Sequence, residues 1–142
     1  MKYISTRYKE KTVSVSEAII QGLADDGGLY TPQALDQKVD LASTLKMSYL
    51  ELAQYILSLF LSDFSHEQIQ QCVQNAYQSS FENNEVAPLR KYSDGWLMEL
   101  WHGPTSAFKD VALTLLPHLL TAAYQNQNEN DLISILTATS GD

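Results

Sequence analysis

The chain has a single cysteine, Cys72, among its 142 residues, so no internal disulfide can form. Basic residues are also scarce: 9 Lys and Arg stand against 17 Asp and Glu, for a net charge of −8. A nucleic-acid partner needs a basic face that displaces counterions from phosphates, so that class is excluded. No apolar run approaches the roughly 20 residues that span a bilayer. The stretch from Met1 to Lys9 is polar and lacks the apolar centre of a secretory signal. These absences predict a cytoplasmic chain without membrane contact. The histidines, His66, His102 and His118, are scattered without metal-ligand spacing, and no metal site is expected. What is present is a globular composition, 44% hydrophobic and 18% charged, at the size of one ordinary domain.

The first half is dense in helix-start signals. Tyr3, Ile4, Tyr8 and Val13 alternate with polar residues and predict a strand or irregular hairpin over 3–13. Ser14-Val15-Ser16-Glu17 is a capping box, and its short helix should stop at Gly22. Asp26-Gly27-Gly28 is a turn that leads into an extended Leu29-Tyr30-Thr31-Pro32. A second capping box, Ser48 to Glu51, opens a helix with Leu52, Tyr55, Ile56, Leu59 and Phe60 on one face. A third, Ser65 to Gln68, opens a helix carrying Ile69, Cys72, Val73, Ala76 and Tyr77, which should fade near Ser79-Ser80. Residues 1–88 are thus expected to be a mainly helical N-terminal domain with no evident chemistry.

The pattern changes after Pro88. Trp96-Leu97-Met98-Glu99-Leu100 suits a short buried strand, and a Gly103-Pro104 turn follows it. A long helix is predicted from about Ser106 to Gln125, with Thr105 as its N-cap and a bend near Leu113 caused by Pro117. Leu132-Ile133-Ser134-Ile135-Leu136 then reads as a second strand. Strand, helix, strand at this spacing predicts a βαβ unit with parallel strands and an α/β fold over 89–142. In such sheets ligands bind outside the carboxyl ends of the strands, so the 102–110 and 139–142 loops should meet at one cleft.

Lys109 falls in the first turn of its helix, where the macrodipole disfavours a cation, and burial would add to that push toward the neutral amine. A neutral amine attacks carbonyls or carries protons. From position alone, a surface lysine that happens to begin a helix is the simpler reading. Asp110 reads as a first-turn carboxylate that favours the helix dipole. His102 is either structural or a contact for a ligand phosphate. Ser140-Gly141 offers amides and a hydroxyl to an anion such as a carboxylate, although Ser-Gly after a strand is a common loop.

Taken together, Asp26-Gly27-Gly28-Leu29-Tyr30-Thr31-Pro32, then Leu100-Trp101-His102-Gly103-Pro104-Thr105-Ser106-Ala107-Phe108-Lys109-Asp110, then Thr139-Ser140-Gly141-Asp142 resemble threonine synthase, in order and in approximate spacing. The likeness runs from about residue 3 to Asp142, and the His-Gly-Pro-Thr-x-Ala-Phe-Lys-Asp run is highly specific.

The resemblance implies a fold-type II enzyme dependent on pyridoxal 5′-phosphate that converts O-phospho-L-homoserine and water to L-threonine and phosphate. It implies that Lys109 binds the cofactor as a Schiff base and then moves protons at Cα and Cβ. Ser140 and Gly141 would receive the substrate carboxylate, and Asp142 would lie near the cofactor's 3′-hydroxyl. Family members are much longer, so 89–142 is expected to be the start of the cofactor-binding α/β domain, incomplete at its C-terminus, and the chain alone is expected to be inactive. Two alternatives accompany this reading. One is a related phospho-lyase that releases a keto acid. The other is a non-catalytic module that self-associates through exposed apolar surface around 132–137.

Overall fold

A computed structural model describes residues 1–128, 134–136 and 138. Eleven elements follow in chain order among them. They are β1 (Tyr3–Ser5), β2 (Thr12–Val13), α1 (Val15–Gln21), β3 (Tyr30–Pro32), α2 (Leu41–Thr44), α3 (Tyr49–Phe60), α4 (His66–Tyr77), β4 (Leu89–Tyr92), β5 (Gly95–Met98), α5 (Asp110–Leu113) and α6 (Leu116–Asn126). The mixed helix-and-sheet class expected from the sequence is the class observed.

The N-terminal strands form an antiparallel sheet in the order β2-β1-β3, with Tyr3 opposite both Val13 and Pro32. The turn before β3 is fixed by Asp26, whose carboxylate accepts the Ser5 hydroxyl at 2.8 Å and the Gly28 amide at 2.8 Å. Those two donors hold the Asp26 carboxyl below the usual carboxylate range, the Gly28 amide contributing most. Gly28 has no room for a side chain, because a Cβ there would overlap the Ser5 hydroxyl. Gly28→Ala should therefore cost about 1–3 kcal/mol through overpacking. Chemical denaturation of the two proteins with equal midpoints would refute this.

All three capping boxes form, at Ser14, Ser48 and Ser65, each with its N3 side chain returning to the cap amide. They place the starts of α1, α3 and α4 where the sequence puts them, and α1 ends at Gly22 with φ 70°. The buried face of α4 is Ile69, Cys72, Val73, Ala76 and Tyr77, the face its spacing predicts. Val73 and Ala76 are wholly removed from solvent.

The face of α3 is a correction. Tyr49, Leu50, Ala53 and Leu57 pack against the core, not the predicted Leu52, Tyr55, Ile56, Leu59 and Phe60. No residue of α3 is fully buried. This helix carries two apolar stripes, and periodicity alone cannot say which one meets α4. Helix α2, held by an Asp40 cap, has no counterpart in the sequence prediction.

The core extends beyond the expected boundary at residue 88. Leu115, Leu119, Ala122 and Ala123 lie in one cluster with Val15, Phe64, Val73 and Tyr77, so α6 packs on α1 and α4. Polar ties close the same seam. The Asn126 side chain donates to the Asp63 carbonyl at 3.0 Å and accepts from Gln68 at 2.7 Å, while the Ser16 amide donates to the Asp63 carboxylate at 3.0 Å.

The predicted long helix is broken. Its first piece is α5, and α6 resumes with Pro117 in its opening turn. Pro117 has no amide to return to Leu113, so the interruption falls where proline chemistry puts it, and the ring is tolerated at the start of α6.

The first strand expected of the βαβ unit is present as β5, with an antiparallel neighbour and without the expected burial. Strand β5 pairs antiparallel with β4, Leu89 opposite Met98 and Tyr92 opposite Gly95, across a Ser93-Asp94 turn. It is not buried: Trp96 is 70% exposed, and Leu89, Leu97 and Met98 are also open. Its apolar composition is that of a strand covered on both faces, yet no described element covers it. Of the second predicted strand, Ser134, Ile135 and Leu136 are exposed and take no regular structure; Leu132 and Ile133 lie outside the described residues.

Candidate functional site

The turn over 102–109 is built by its neighbours. His102 enters it half-buried between two carboxylates. Its Nδ1 lies 2.9 Å from Glu82 Oε2 and its Nε2 2.7 Å from Glu99 Oε2, and its carbonyl accepts the Glu82 amide at 3.0 Å. Arg90 adds an ion pair to Glu85 at 3.0 Å and approaches Glu99 at 3.9 Å. His102 is thereby a structural bridge from the 82–85 segment to the end of β5, the reading that the turn position favours over a phosphate contact.

Glu82, then Glu99, raises the His102 pKa above its ordinary value. A pKa raised on folding means that protonated His102 contributes its full stability below the unfolded value of about 6.5. The contribution is lost as pH climbs through the higher folded value. His102→Gln should therefore destabilise the chain clearly at pH 5.5–6 and progressively less toward pH 9. Urea denaturation at a series of pH values reads this, and a pH-independent difference would contradict it.

Past the Gly103-Pro104 step the backbone is strained. Ser106 has φ 58°, a left-handed conformation that costs a side-chain-bearing residue about 1–2 kcal/mol. Asp110 holds the turn in place. Its side chain is buried, with the residue only 3% exposed, and its carboxylate accepts the Thr105 amide at 2.8 Å and the Thr105 hydroxyl at 2.7 Å. Gly103 sits directly against it: a Cβ on Gly103 would come within 2.5 Å of the Asp110 Cβ and Oδ2.

Thr105 is therefore not an N-cap, since its hydroxyl donates to Asp110 and no side chain caps α5. Asp110 does more than favour a helix dipole. The combination Gly103, Thr105, Asp110 was readable only as separate turn and helix signals, because nothing in their spacing shows that the chain doubles back.

Lys109 occupies the position just before α5, in helical backbone conformation, and is exposed. Its neighbour Phe108 is exposed as well, whereas Val111 packs against the core. The Lys109 backbone is nonetheless firmly placed. The Lys109 carbonyl accepts the Ala112 and Leu113 amides, and α5 is tied to the core where the Tyr77 hydroxyl donates to the Val111 carbonyl at 2.7 Å. Tyr77 stacks edge-on with Tyr49 and Phe81 at centroid distances of 5.3 and 5.7 Å. Burial pushes its phenol well above the ordinary range. No sequence signal distinguished Tyr77 from the other core residues of α4.

Lys109 sets a primary amine on an anchored turn, the group a carbonyl-bearing cofactor needs, so it fits pyridoxal 5′-phosphate by the chemistry of its donor. Ser140, Gly141 and Asp142 lie outside the described residues. Among the described residues no cluster of His, Cys, Asp or Glu could hold a metal ion, and no helix is long and apolar enough to cross a membrane.

The described residues form a mixed helix-and-sheet unit, with two small antiparallel sheets and helices that hold the Lys109 turn. Residues 2–77 match the family described as threonine synthase N terminus, and the chain belongs to that family. Threonine synthase of Schizosaccharomyces pombe is 37% identical over 153 residues, covering 100% of this chain and 30% of the relative. The human protein called threonine synthase-like 1 is 35% identical, over 99% of this chain and 20% of its own length. Among solved structures, PLP-bound threonine synthase from Brucella melitensis superposes with a TM-score of 0.83 at 35% identity, covering 91% of this chain and 28% of that one. The chain thus spans about a third or less of these relatives' length.

Proposed function

We propose that this chain is the part of a threonine synthase that carries the cofactor lysine, Lys109, in an enzyme forming L-threonine and phosphate from O-phospho-L-homoserine and water. The observation that carries the reading is Lys109 itself, set on a turn that Asp110, Gly103 and Tyr77 hold in place. Pyridoxal 5′-phosphate, when bound, supplies the electron sink that makes protons at Cα and Cβ of an amino acid removable. Lys109 Nζ holds that cofactor and moves protons at those two carbons. Ser140 and Gly141 are assigned to the substrate carboxylate and Asp142 to the cofactor's 3′-hydroxyl, on the resemblance of the Thr139-Ser140-Gly141-Asp142 run. The reaction breaks the Cγ–O bond to phosphate, puts a proton on Cγ as it becomes the methyl group and adds the hydroxyl of water at Cβ, which makes the enzyme a carbon–oxygen lyase of cytoplasmic amino-acid biosynthesis. Residues 1–88 are the supporting unit and 89–142 begin the cofactor-binding domain.

The 142 residues alone are expected to be inactive, because about 70% of the relatives' length, with any cofactor-phosphate loop and any partner of the pyridine nitrogen in it, has no counterpart here. The open apolar surface of β4, β5 and Ile135-Leu136 makes self-association of the isolated chain the expected behaviour. The alternative reading, on the same motifs, is a related phospho-lyase that releases a keto acid from a phosphorylated amino acid. Incubating O-phospho-L-homoserine with the complete protein and with this chain tests all of this. Threonine from the complete protein alone is the expected result. A keto acid in its place selects the second reading, and turnover by this chain refutes the claim of inactivity.

A further inference from the structure

Asp110 neighbours Lys109 in sequence, and its carboxylate reaches back across the turn to Thr105. It receives the Thr105 amide and the Thr105 hydroxyl, and it packs on a glycine that leaves no space for a methyl group. The Asp110 carbonyl in turn accepts both the amide and the hydroxyl of Thr114, at 3.0 and 2.7 Å. One residue therefore fixes the turn on its N-terminal side and the first turn of α5 on the other. Between the two sits Lys109, along with the strained Ser106 that the turn has to hold. A lysine side chain is long and freely rotating, so where its amine can reach is set by its Cα–Cβ direction. A covalent cofactor site tolerates little error in that direction.

We propose that Asp110 is a positioning residue: it latches the 103–106 turn to α5 and so aims Lys109 at the cofactor carbonyl. The inference rests on Lys109 being the cofactor lysine. What the latch needs is two hydrogen bonds to Thr105, not a negative charge. Asparagine can supply both, its Oδ1 accepting the Thr105 amide and its Nδ2 donating to the Thr105 hydroxyl, which reverses its role. Alanine can supply neither.

The test uses the complete protein and its variants Asp110→Ala, Asp110→Asn and Thr105→Val. The rate at which pyridoxal 5′-phosphate becomes fixed to Lys109 is followed by borohydride trapping and peptide mapping, with thermal unfolding alongside. D110A should slow fixation about tenfold, as expected of a displaced reacting group. T105V, which removes one exposed hydroxyl and keeps the fold if D110A does not, should slow it about fivefold, the value of one hydrogen bond. D110N should load within about twofold of the unaltered protein, since both bonds survive. A purely structural residue would lower the unfolding temperature without this pattern of loss and rescue. Unaltered loading in D110A and T105V overturns the proposal, as does a D110N that loads as slowly as D110A. Absence of any Lys109 label in the unaltered protein removes the cofactor reading itself, a result distinct from either.

Discussion

In the complete protein, Lys109→Ala is expected to lower threonine formation by about 10²–10⁴-fold, the range a single positioned proton carrier contributes. The loss is larger if the covalent link to the cofactor is essential to binding as well. Lys109→Arg is the sharper test. It retains length and positive charge at an exposed position, so any electrostatic or solubility role of Lys109 survives. A guanidinium cannot be deprotonated near neutral pH, and it neither attacks a carbonyl nor accepts a proton. Both variants should therefore be equally dead, with thermal unfolding unchanged because no core residue is touched. An arginine variant that keeps a tenth of the activity would contradict the assignment.

Tyr77→Ala is expected to lower stability by about 3–5 kcal/mol, the usual range for emptying a buried aromatic site. Three contributions disappear together: the packing of the ring in the α1–α4–α6 core, its edge-on contacts with Tyr49 and Phe81, and its hydroxyl bond to the Val111 carbonyl. Domains of this size are stable by only about 5–15 kcal/mol, so the variant should sit close to unfolding at physiological temperature. Tyr77→Phe separates the parts, since it keeps the ring and removes one hydrogen bond worth about 1 kcal/mol. That bond is the link between the core and the segment that follows Lys109. Denaturant titration of the three proteins gives both numbers. A phenylalanine variant as unstable as the alanine one would show that the ring packing had been overrated.

Much of the N-terminal half was legible because its signals are local. A capping box is satisfied within four residues, and Ser14, Ser48 and Ser65 each start a helix at the expected place. One-sided periodicity gave the buried face of α4, and Pro117 gave the break before α6, for the same reason. The errors fall where the outcome depends on a distant partner. Two apolar stripes on α3 cannot be ranked without knowing where α4 lies. The apolar run of β5 predicts burial, while the described chain places nothing over it. At the site, the specificity of the motif singled out Lys109 as the candidate, while its surroundings were not legible. The apolar residues beside Lys109 in sequence do not share one environment, since Phe108 faces solvent and Val111 packs against the core. The latch of Asp110 on Thr105 and Gly103 was hidden, because a carboxylate in a first helical turn has an adequate local explanation already. His102 between Glu82 and Glu99 is a contact across 20 residues on one side, beyond the reach of any local pattern.

The central claim is that Lys109 carries the cofactor, and borohydride reduction in the presence of pyridoxal phosphate followed by peptide mapping tests it most directly. The complete protein and this 142-residue chain are treated side by side. A pyridoxyl group on Lys109 of the complete protein, and little or none on this chain, is the predicted result, and it would show that the rest of the cofactor site lies in the remaining length of the family. Labelling of another lysine, or of no lysine, in the complete protein would contradict the assignment.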